Sequence, residues 1–210
     1  MNILVDNIIV KGGWVMAPII IGSIIALGIA IERAVFFWRI KLDIESFVDE
    51  IFYLIEKQEF SRAIERCGKV NHPISFVFQT GLEHINDDIL DVEHTMEREG
   101  TRQITMLEKN FIYLMVIVGV EPLLGFLGTI IGLIQAFMAW EQFSTSVTVD
   151  QLAAGIYKAM ITTAGGLIVA IPFYLVYNYF THRVENITKD LNYYGDKLVR
   201  ILNKQKKNTQ

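Results

Sequence analysis

The stretch GIYKAMITTAGGLIVAIPFYLVYNY, residues 155–179, determines the fold of this chain. Its 25 residues carry a single formal charge, Lys158, which lies near the start. A helix rises about 1.5 Å per residue, so the stretch would be roughly 38 Å long, while the hydrocarbon core of a bilayer is about 30 Å thick. The stretch is therefore predicted to be a transmembrane helix.

The middle of this predicted helix is small and polar. Thr162, Thr163, Ala164, Gly165 and Gly166 follow one another at mid-membrane depth. Small residues let helix backbones approach closely in a membrane, and polar groups at that depth face other helices or a polar cavity. This helix is therefore expected to pack tightly against its neighbours or to line a polar path.

Two further apolar segments complete a predicted all-α membrane protein with three transmembrane helices. Hydrophobic residues make up 52% of the 210-residue chain, and its mean hydropathy is +0.36. The predicted segments are an N-terminal stretch 1–13, helix 14–38, a polar helical domain 39–108, helix 109–140, a loop 141–151, helix 152–180 and a basic helical tail 181–210. The second and third membrane helices are expected to extend into the polar domain, since neither has a strong stop signal at that end. The helical pattern from Asp88 is predicted to run without a clear break into the second membrane helix, with Gly100 as its only weak point. Cys67 is expected to be a small buried residue.

Lysine and arginine predict the orientation, because cytoplasmic segments are enriched in them. Both are frequent in 39–109 and in the tail, whereas the loop has none and residues 1–13 contain only Lys11. The N-terminus and the loop are therefore predicted to be periplasmic, and the polar domain and C-terminus cytoplasmic. The second and third membrane helices then form an antiparallel hairpin.

Each helix of this hairpin has one face of small residues, because its small residues recur at spacings of three and four. In the second span the face comprises Glu121, Gly125, Gly128, Thr129, Gly132 and Ala136; in the third it comprises Gly155, Ala159, Thr162, Gly166 and Ala170. Two interpretations stay open. The faces serve only close packing, with the threonine hydroxyls bonded to their own helices, or they line an ion path.

Counting outward from the loop centre gives the relative depth of the polar residues. Thr129 and Thr163 are predicted to lie at the same level, which favours an ion path. Glu121 and Lys158 are predicted to be about 20 Å apart along the helix axis, too far for an ion pair. Lys158 is expected near the outer mouth, and Glu121 is expected towards the cytoplasm as an ion-release group or as a structural carboxyl between helices.

Three strings carry a resemblance to a known family: GGWVMAPI with the later IER in the first span, PLLGFLGTIIGLIQAF in the second and TTAGGLIVAIP in the third. Together they resemble the MotA/TolQ/ExbB proton channel family, and three spans favour its ExbB/TolQ branch. The resemblance implies a multi-pass protein of the bacterial inner membrane. It also implies a homo-oligomer, in this family a pentamer, around a single-span ExbD/TolR-like partner that acts on a TonB- or TolA-like protein.

The resemblance also implies roles for individual residues. Thr129 and Thr163 match the pore threonines of the second and third spans, and the proton-carrying carboxylate usually belongs to the partner. Two residues depart from the family pattern. Lys158 occupies the position of a frequent glutamate five residues before the third-span threonine, and Glu121 stands where a small or neutral residue is expected. Whether the ion is H⁺ or Na⁺ stays open.

The resemblance implies a subunit of an ion-driven motor that turns proton-motive force into motion, and this is the predicted function. The alternative is a non-conducting membrane scaffold that stabilises a single-span partner. An enzyme is not predicted, because no catalytic or phosphate-binding motif occurs, and no cofactor is expected. His84 and His94 lie among acidic residues but are predicted to belong to a solvated helix face, so no metal site is expected. The basic tail is expected to meet membrane lipids and not nucleic acid, because aromatic stacking residues are not interleaved with it.

Overall fold

The structure is a computed structural model that describes the backbone of residues 12–142 and 149–209, with side chains at 12–141 and 153–206. This described part of the chain folds into seven α-helices and contains no strand. They are α1 (Met16–Arg39), α2 (Ile44–Glu56), α3 (Phe60–Gly68), α4 (Pro73–Glu83), α5 (Ile89–Leu107), α6 (Phe111–Gln142) and α7 (Val149–Thr209). The predicted all-α class is confirmed.

The described residues contain three candidate spans that are long and apolar enough to cross a membrane. The first is α1, the second contains α6, and the third contains the first part of α7. In α1, Pro18 falls in the first turn, where its missing N–H removes no helical hydrogen bond. In α7, Pro172 lies inside a helix of 61 residues that runs on into the basic tail. The predicted three membrane helices are therefore confirmed.

One predicted continuity is wrong. The helical pattern from residue 88 was expected to run unbroken into the second membrane span, with Gly100 as its only weak point. Instead Gly100 lies within α5, and the chain breaks at Asn110, which has a φ of +67° between α5 and α6. Asparagine adopts this left-handed conformation more readily than most residues.

The chain divides into two compact units. One holds the described residues up to Arg33 together with Asn110–Tyr179, and the other holds Ala34–Lys109 together with the helix from Phe180 onward. The first contains the three membrane helices and is called the membrane unit here. The second contains α2–α5 and is called the polar unit.

The polar unit has an apolar core of its own. Phe78 packs near Phe47 and Phe52, with ring centroids 6.4 and 5.8 Å apart, and Leu198 of α7 is fully buried. Cys67 is buried as predicted, and this burial raises the pKa of its thiol to about 12, so the thiol is not poised for reaction. These contacts explain why the apolar residues of the polar segment recur at helical spacing.

Helix α4 begins with a buried histidine cap. The Nδ1 atom of His72 accepts a hydrogen bond from the backbone N–H of Ile74 at 3.2 Å, and Pro73 occupies the first helical position. The backbone N–H of His72 donates to the hydroxyl of Ser75, which completes a capping box. Burial lowers the pKa of His72 from 6.5 to about 4. The cap therefore requires the neutral imidazole.

The stability of the polar unit is expected to fall as the pH drops from 7 to 4. A histidine whose folded pKa is lowered binds its proton more readily when unfolded, so stability is fully present above pH 6.5 and declines below it. The loss should reach about 3 kcal/mol, since one pKa unit corresponds to about 1.4 kcal/mol. Denaturant unfolding across this pH range measures it. In His72→Asn, which keeps a capping acceptor that does not titrate, the same decline would contradict the assignment.

Candidate functional site

The membrane unit contains a close contact between α6 and α7. A Cβ atom added at Gly125 would lie 3.0 Å from the Cα of Thr163, and one at Gly132 would lie 2.8 Å from the Cβ of Ala159. Gly155 is equally tight, because a Cβ there would lie 2.7 Å from that of Ala136. The two faces of small residues therefore meet within one chain, with backbone nearly touching backbone.

The remaining predicted packing glycines lie in the same contact region, which is called the junction here. A Cβ at Gly128 would collide with the side chain of Thr162, and one at Gly166 would collide with the backbone carbonyl oxygen of Glu121. Gly165 faces the first helix, because a Cβ there would lie 3.1 Å from the terminal methyl group of Met16. Helix α1 is thus part of this junction together with the hairpin.

Thr163 joins the two helices of the hairpin through its hydroxyl, which donates to the backbone carbonyl of Gly125 at 2.9 Å. The hydroxyl of Thr129 instead donates to the carbonyl of Phe126 in its own helix at 2.5 Å. Thr163 is opposite Gly125, one turn before Thr129, so the two threonines differ in level by about one turn, or about 5 Å. The sequence count placed them at the same level, whereas in the structure they are offset by about one turn and do not bind each other.

Thr162 is the most buried of the predicted path residues, with 1% of its surface exposed. Its hydroxyl lies 3.0 Å from the carbonyl oxygen of Gly12 and 3.1 Å from that of Lys158. The hydroxyl therefore ties α7 to the segment that precedes α1. A contact between residues 150 positions apart in the sequence was not predictable from spacing within the hairpin.

Glu121 and Lys158 lie in different parts of the junction. The carboxyl group of Glu121 fills the space left by Gly22 of α1, whereas the amine of Lys158 lies beside Gly13, three residues before α1 begins. Because the carbonyl of Glu121 abuts Gly166 and not Ile171, the separation along α7 is eight residues, or about 12 Å, not the 20 Å predicted. The two groups remain too far apart for an ion pair within the chain.

Sequence reasoning did not single out Gly22, which provides the space for the Glu121 carboxyl. The length and flanking residues of the first span predict a membrane helix but assign no role to its glycines. Gly22 followed by Ser23 is a pair of small residues in an otherwise bulky run, and this pair was the available signal.

Outside the junction, the membrane unit exposes large apolar side chains. Leu123, Phe126 and Ile168 are 65%, 61% and 66% exposed in the isolated chain. Water does not stabilise such a surface, whereas lipid or other membrane helices do. The three helices thus have an apolar exterior, and they meet through small residues and threonine hydroxyls. These features define a multi-pass helical membrane protein.

Comparison with known proteins identifies the family. Residues 69–192, more than half of the chain, match the model of the MotA/TolQ/ExbB proton channel family. The chain therefore belongs to this family, and the predicted resemblance is confirmed. The predicted localisation as a multi-pass protein of the inner membrane agrees with the family and with the three apolar helices.

Individual relatives support the ExbB/TolQ branch. The chain is 33% identical over 129 residues to the Tol-Pal system protein TolQ of Haemophilus influenzae. The aligned residues make up 59% of this chain and 56% of that protein. It is 28% identical over 170 residues to the putative biopolymer transport protein ExbB-like 3 of Synechocystis, which covers 80% of this chain and 81% of the relative. The putative ExbB-like 1 protein of the same organism is 31% identical over 183 residues, covering 80% and 66%.

Proposed function

We propose that this chain is the channel-forming subunit of an inner-membrane motor that uses the proton-motive force to energise a TonB- or Tol-type system spanning the periplasm. The work driven is uptake of biopolymers or nutrients across the outer membrane, or maintenance of the envelope. Membership of the MotA/TolQ/ExbB proton channel family supports a channel subunit, and the names of the relatives support the ExbB/TolQ branch. The observation that carries the proposal is the hydroxyl-bearing junction within the apolar parts of α6 and α7.

The proposed ion path contains Thr129, Thr163, Thr162, Glu121 and Lys158. Threonine hydroxyls and backbone carbonyls can replace part of the hydration of a passing cation. The glycines Gly125, Gly128, Gly132, Gly165 and Gly166 are proposed to hold the helices close enough for these groups to converge. The proposed orientation has the N-terminus in the periplasm and the C-terminus in the cytoplasm, following the distribution of lysine and arginine.

The proposed assembly is a homo-oligomer, a pentamer as in the family, that encloses a single-span partner of the ExbD/TolR type. The exposed apolar surface of the membrane unit supports contacts with copies, with the partner or with lipid. The partner then acts on a TonB- or TolA-like protein. No catalysis by this chain is proposed.

One observation favours the alternative, a non-conducting scaffold for the partner. The hydroxyls of Thr163 and Thr129 both have carbonyl acceptors within the chain, at 2.9 and 2.5 Å, as expected if they serve packing alone. In a channel, unlike a scaffold, the threonine hydroxyls must also replace part of the hydration of the passing ion.

Complementation tests the two functions against each other. The chain and its single-span partner are expressed in a host that lacks its own ExbB- or TolQ-type protein. A channel subunit restores uptake or envelope integrity, and an uncoupler abolishes the restoration. The host must contain a TonB- or TolA-like protein that binds the partner. In such a host, a chain that stabilises the partner but does not restore function would support the scaffold.

Lys158→Glu is expected to retain or raise ion flux. The ammonium group of Lys158 lies beside Gly13 at the proposed outer mouth, where a positive charge lowers the local concentration of cations. Flux measured in liposomes should rise in the order Lys158, Lys158→Gln, Lys158→Glu, and the differences should shrink at high salt. Lys57→Glu, an exposed change in the polar unit, is the matched control. Abolished flux in Lys158→Glu with an intact oligomer would contradict this role.

A further inference from the structure

The side chain of Glu121 is buried where the three membrane helices meet. Only 2% of its surface is exposed. Its carboxyl group occupies the space left by Gly22 of α1, and a methyl group of Ile117 borders the same space. Within the described part of the chain, the Oε2 atom of this carboxyl is buried and has no hydrogen-bond partner.

Charged residues on each helix around Glu121 lie far from it. On α7 the nearest described charge is Lys158, eight residues from Gly166, or about 12 Å along the helix. On α1 the nearest are Glu32 and Arg33, ten and eleven residues from Gly22, or about 15 Å, and these two form an ion pair with each other. On α6 itself no charged residue occurs between Phe111 and Glu121, and the next is Glu141.

Among the described residues, an ionised carboxylate at this position would be buried without a counter-charge. Such a group loses its hydration without compensation, and buried charges in proteins are normally paired or neutralised. Neutralisation of a carboxylate requires a proton, and a protonated carboxyl also has an O–H donor for the carbonyls around it.

We propose that Glu121 is a proton-binding site of this chain, held as a neutral carboxylic acid against Gly22. Each subunit then carries its own exchangeable proton, in addition to the carboxylate that the proposed partner supplies. The participation of this proton in transport rests on the proposed function, whereas its binding to Glu121 does not. The site lies on the α1 side of α6, and the Thr163 hydroxyl lies on the α7 side.

A hydrophobic carbodiimide tests the protonation state directly, because it reacts with a carboxylic acid within the bilayer. The acid proton moves to one carbodiimide nitrogen while a carboxyl oxygen bonds to the central carbon. The resulting O-acylisourea rearranges to a stable N-acylurea, so both reactants are retained in one adduct. The full-length protein in lipid nanodiscs is treated with dicyclohexylcarbodiimide at pH 7, and the adduct is located by peptide mass spectrometry.

The expected adduct is on Glu121, and its amount should decline as the pH rises. Glu32, ion-paired with Arg33, is the internal reference for an ionised carboxylate and should remain unmodified. Infrared spectroscopy on nanodiscs of ether-linked lipids, which lack ester carbonyls, should show the carbonyl band of a protonated carboxyl, and Glu121→Gln should abolish it. Gly22→Ala, which places a methyl group in the carboxyl site, should shift the band or reduce labelling.

The inference is overturned if Glu121 in the wild-type protein is unlabelled and the band is missing at pH 7, or if the band persists in Glu121→Gln. The wild-type measurements need no variant to fold. Ion flux without these signals would leave the proposed function standing and overturn the proton site. Labelling and band without any flux would support the proton site and contradict the proposed function.

Discussion

Replacing Thr163 by Val is expected to leave the fold intact and to reduce ion flux about 10- to 100-fold. Valine keeps the shape of the side chain and removes the hydroxyl that donates to the carbonyl of Gly125. Between membrane helices such a hydrogen bond contributes about 0.6–2 kcal/mol to stability, which folding tolerates. A hydrogen bond to a charged group is worth about 1.5–3 kcal/mol, and its loss from the path gives the expected reduction. Thr129→Val should have a similar effect.

Two controls separate the hydroxyl from general damage to the helix. Thr163→Ser restores a hydroxyl and should restore most of the flux. Thr188→Val removes a hydroxyl from the same helix in the polar unit, where it donates to the carbonyl of Val184 at 2.9 Å, and should leave flux unchanged. Normal energisation of the partner by both Thr129→Val and Thr163→Val would refute the assignment of these residues to the path.

Gly132→Leu is expected to separate α6 from α7 and to reduce the detergent-stable oligomer. Its Cβ would lie 2.8 Å from that of Ala159 and 3.3 Å from the carbonyl oxygen of Gly155, and neither atom belongs to a flexible side chain. Overpacking of this kind typically lowers stability by about 1–3 kcal/mol, and more when backbone must move. Thermal unfolding in detergent measures the first effect, and native mass spectrometry measures the second.

Gly119 provides the matched control in the same helix. A Cβ there meets no atom of the described chain within 4 Å, so Gly119→Leu should leave the packing of α6 on α7 unchanged. Thermal stability therefore distinguishes the two variants even if Gly119 faces another subunit in the assembly. An unchanged melting temperature and an unchanged oligomer in Gly132→Leu would refute the close approach.

The membrane helices were predictable because length and apolar composition are local properties of the sequence. The break at Asn110 was not predictable from periodicity, because one residue with positive φ interrupts a helix without changing the apolar pattern on either side. The buried cap of α4 was only partly foreseen. A proline such as Pro73 is a local signal for a helix start, but the burial of His72, which makes the cap sensitive to pH, depends on the tertiary fold.

The hairpin was more predictable than its contacts with α1. Counting from the loop brought the two helices into approximate register, because their connection is short. The count misplaced the neighbour of Glu121 by five residues, at Ile171 instead of Gly166, since contacts between small residues fix the register and loop length does not. The role of Gly22 could not be found by such counting, because α1 lies far away in the sequence and its alignment against α6 is set only in the folded protein.

Ion flux in liposomes tests the proposed channel most directly. The chain and its single-span partner are reconstituted together, a membrane potential is imposed, and internal pH and internal Na⁺ are recorded with fluorescent indicators. The channel predicts cation uptake that requires both proteins and falls about tenfold or more in Thr163→Val. A correctly assembled complex that moves neither H⁺ nor Na⁺ above the level of protein-free liposomes would contradict the channel and favour the scaffold.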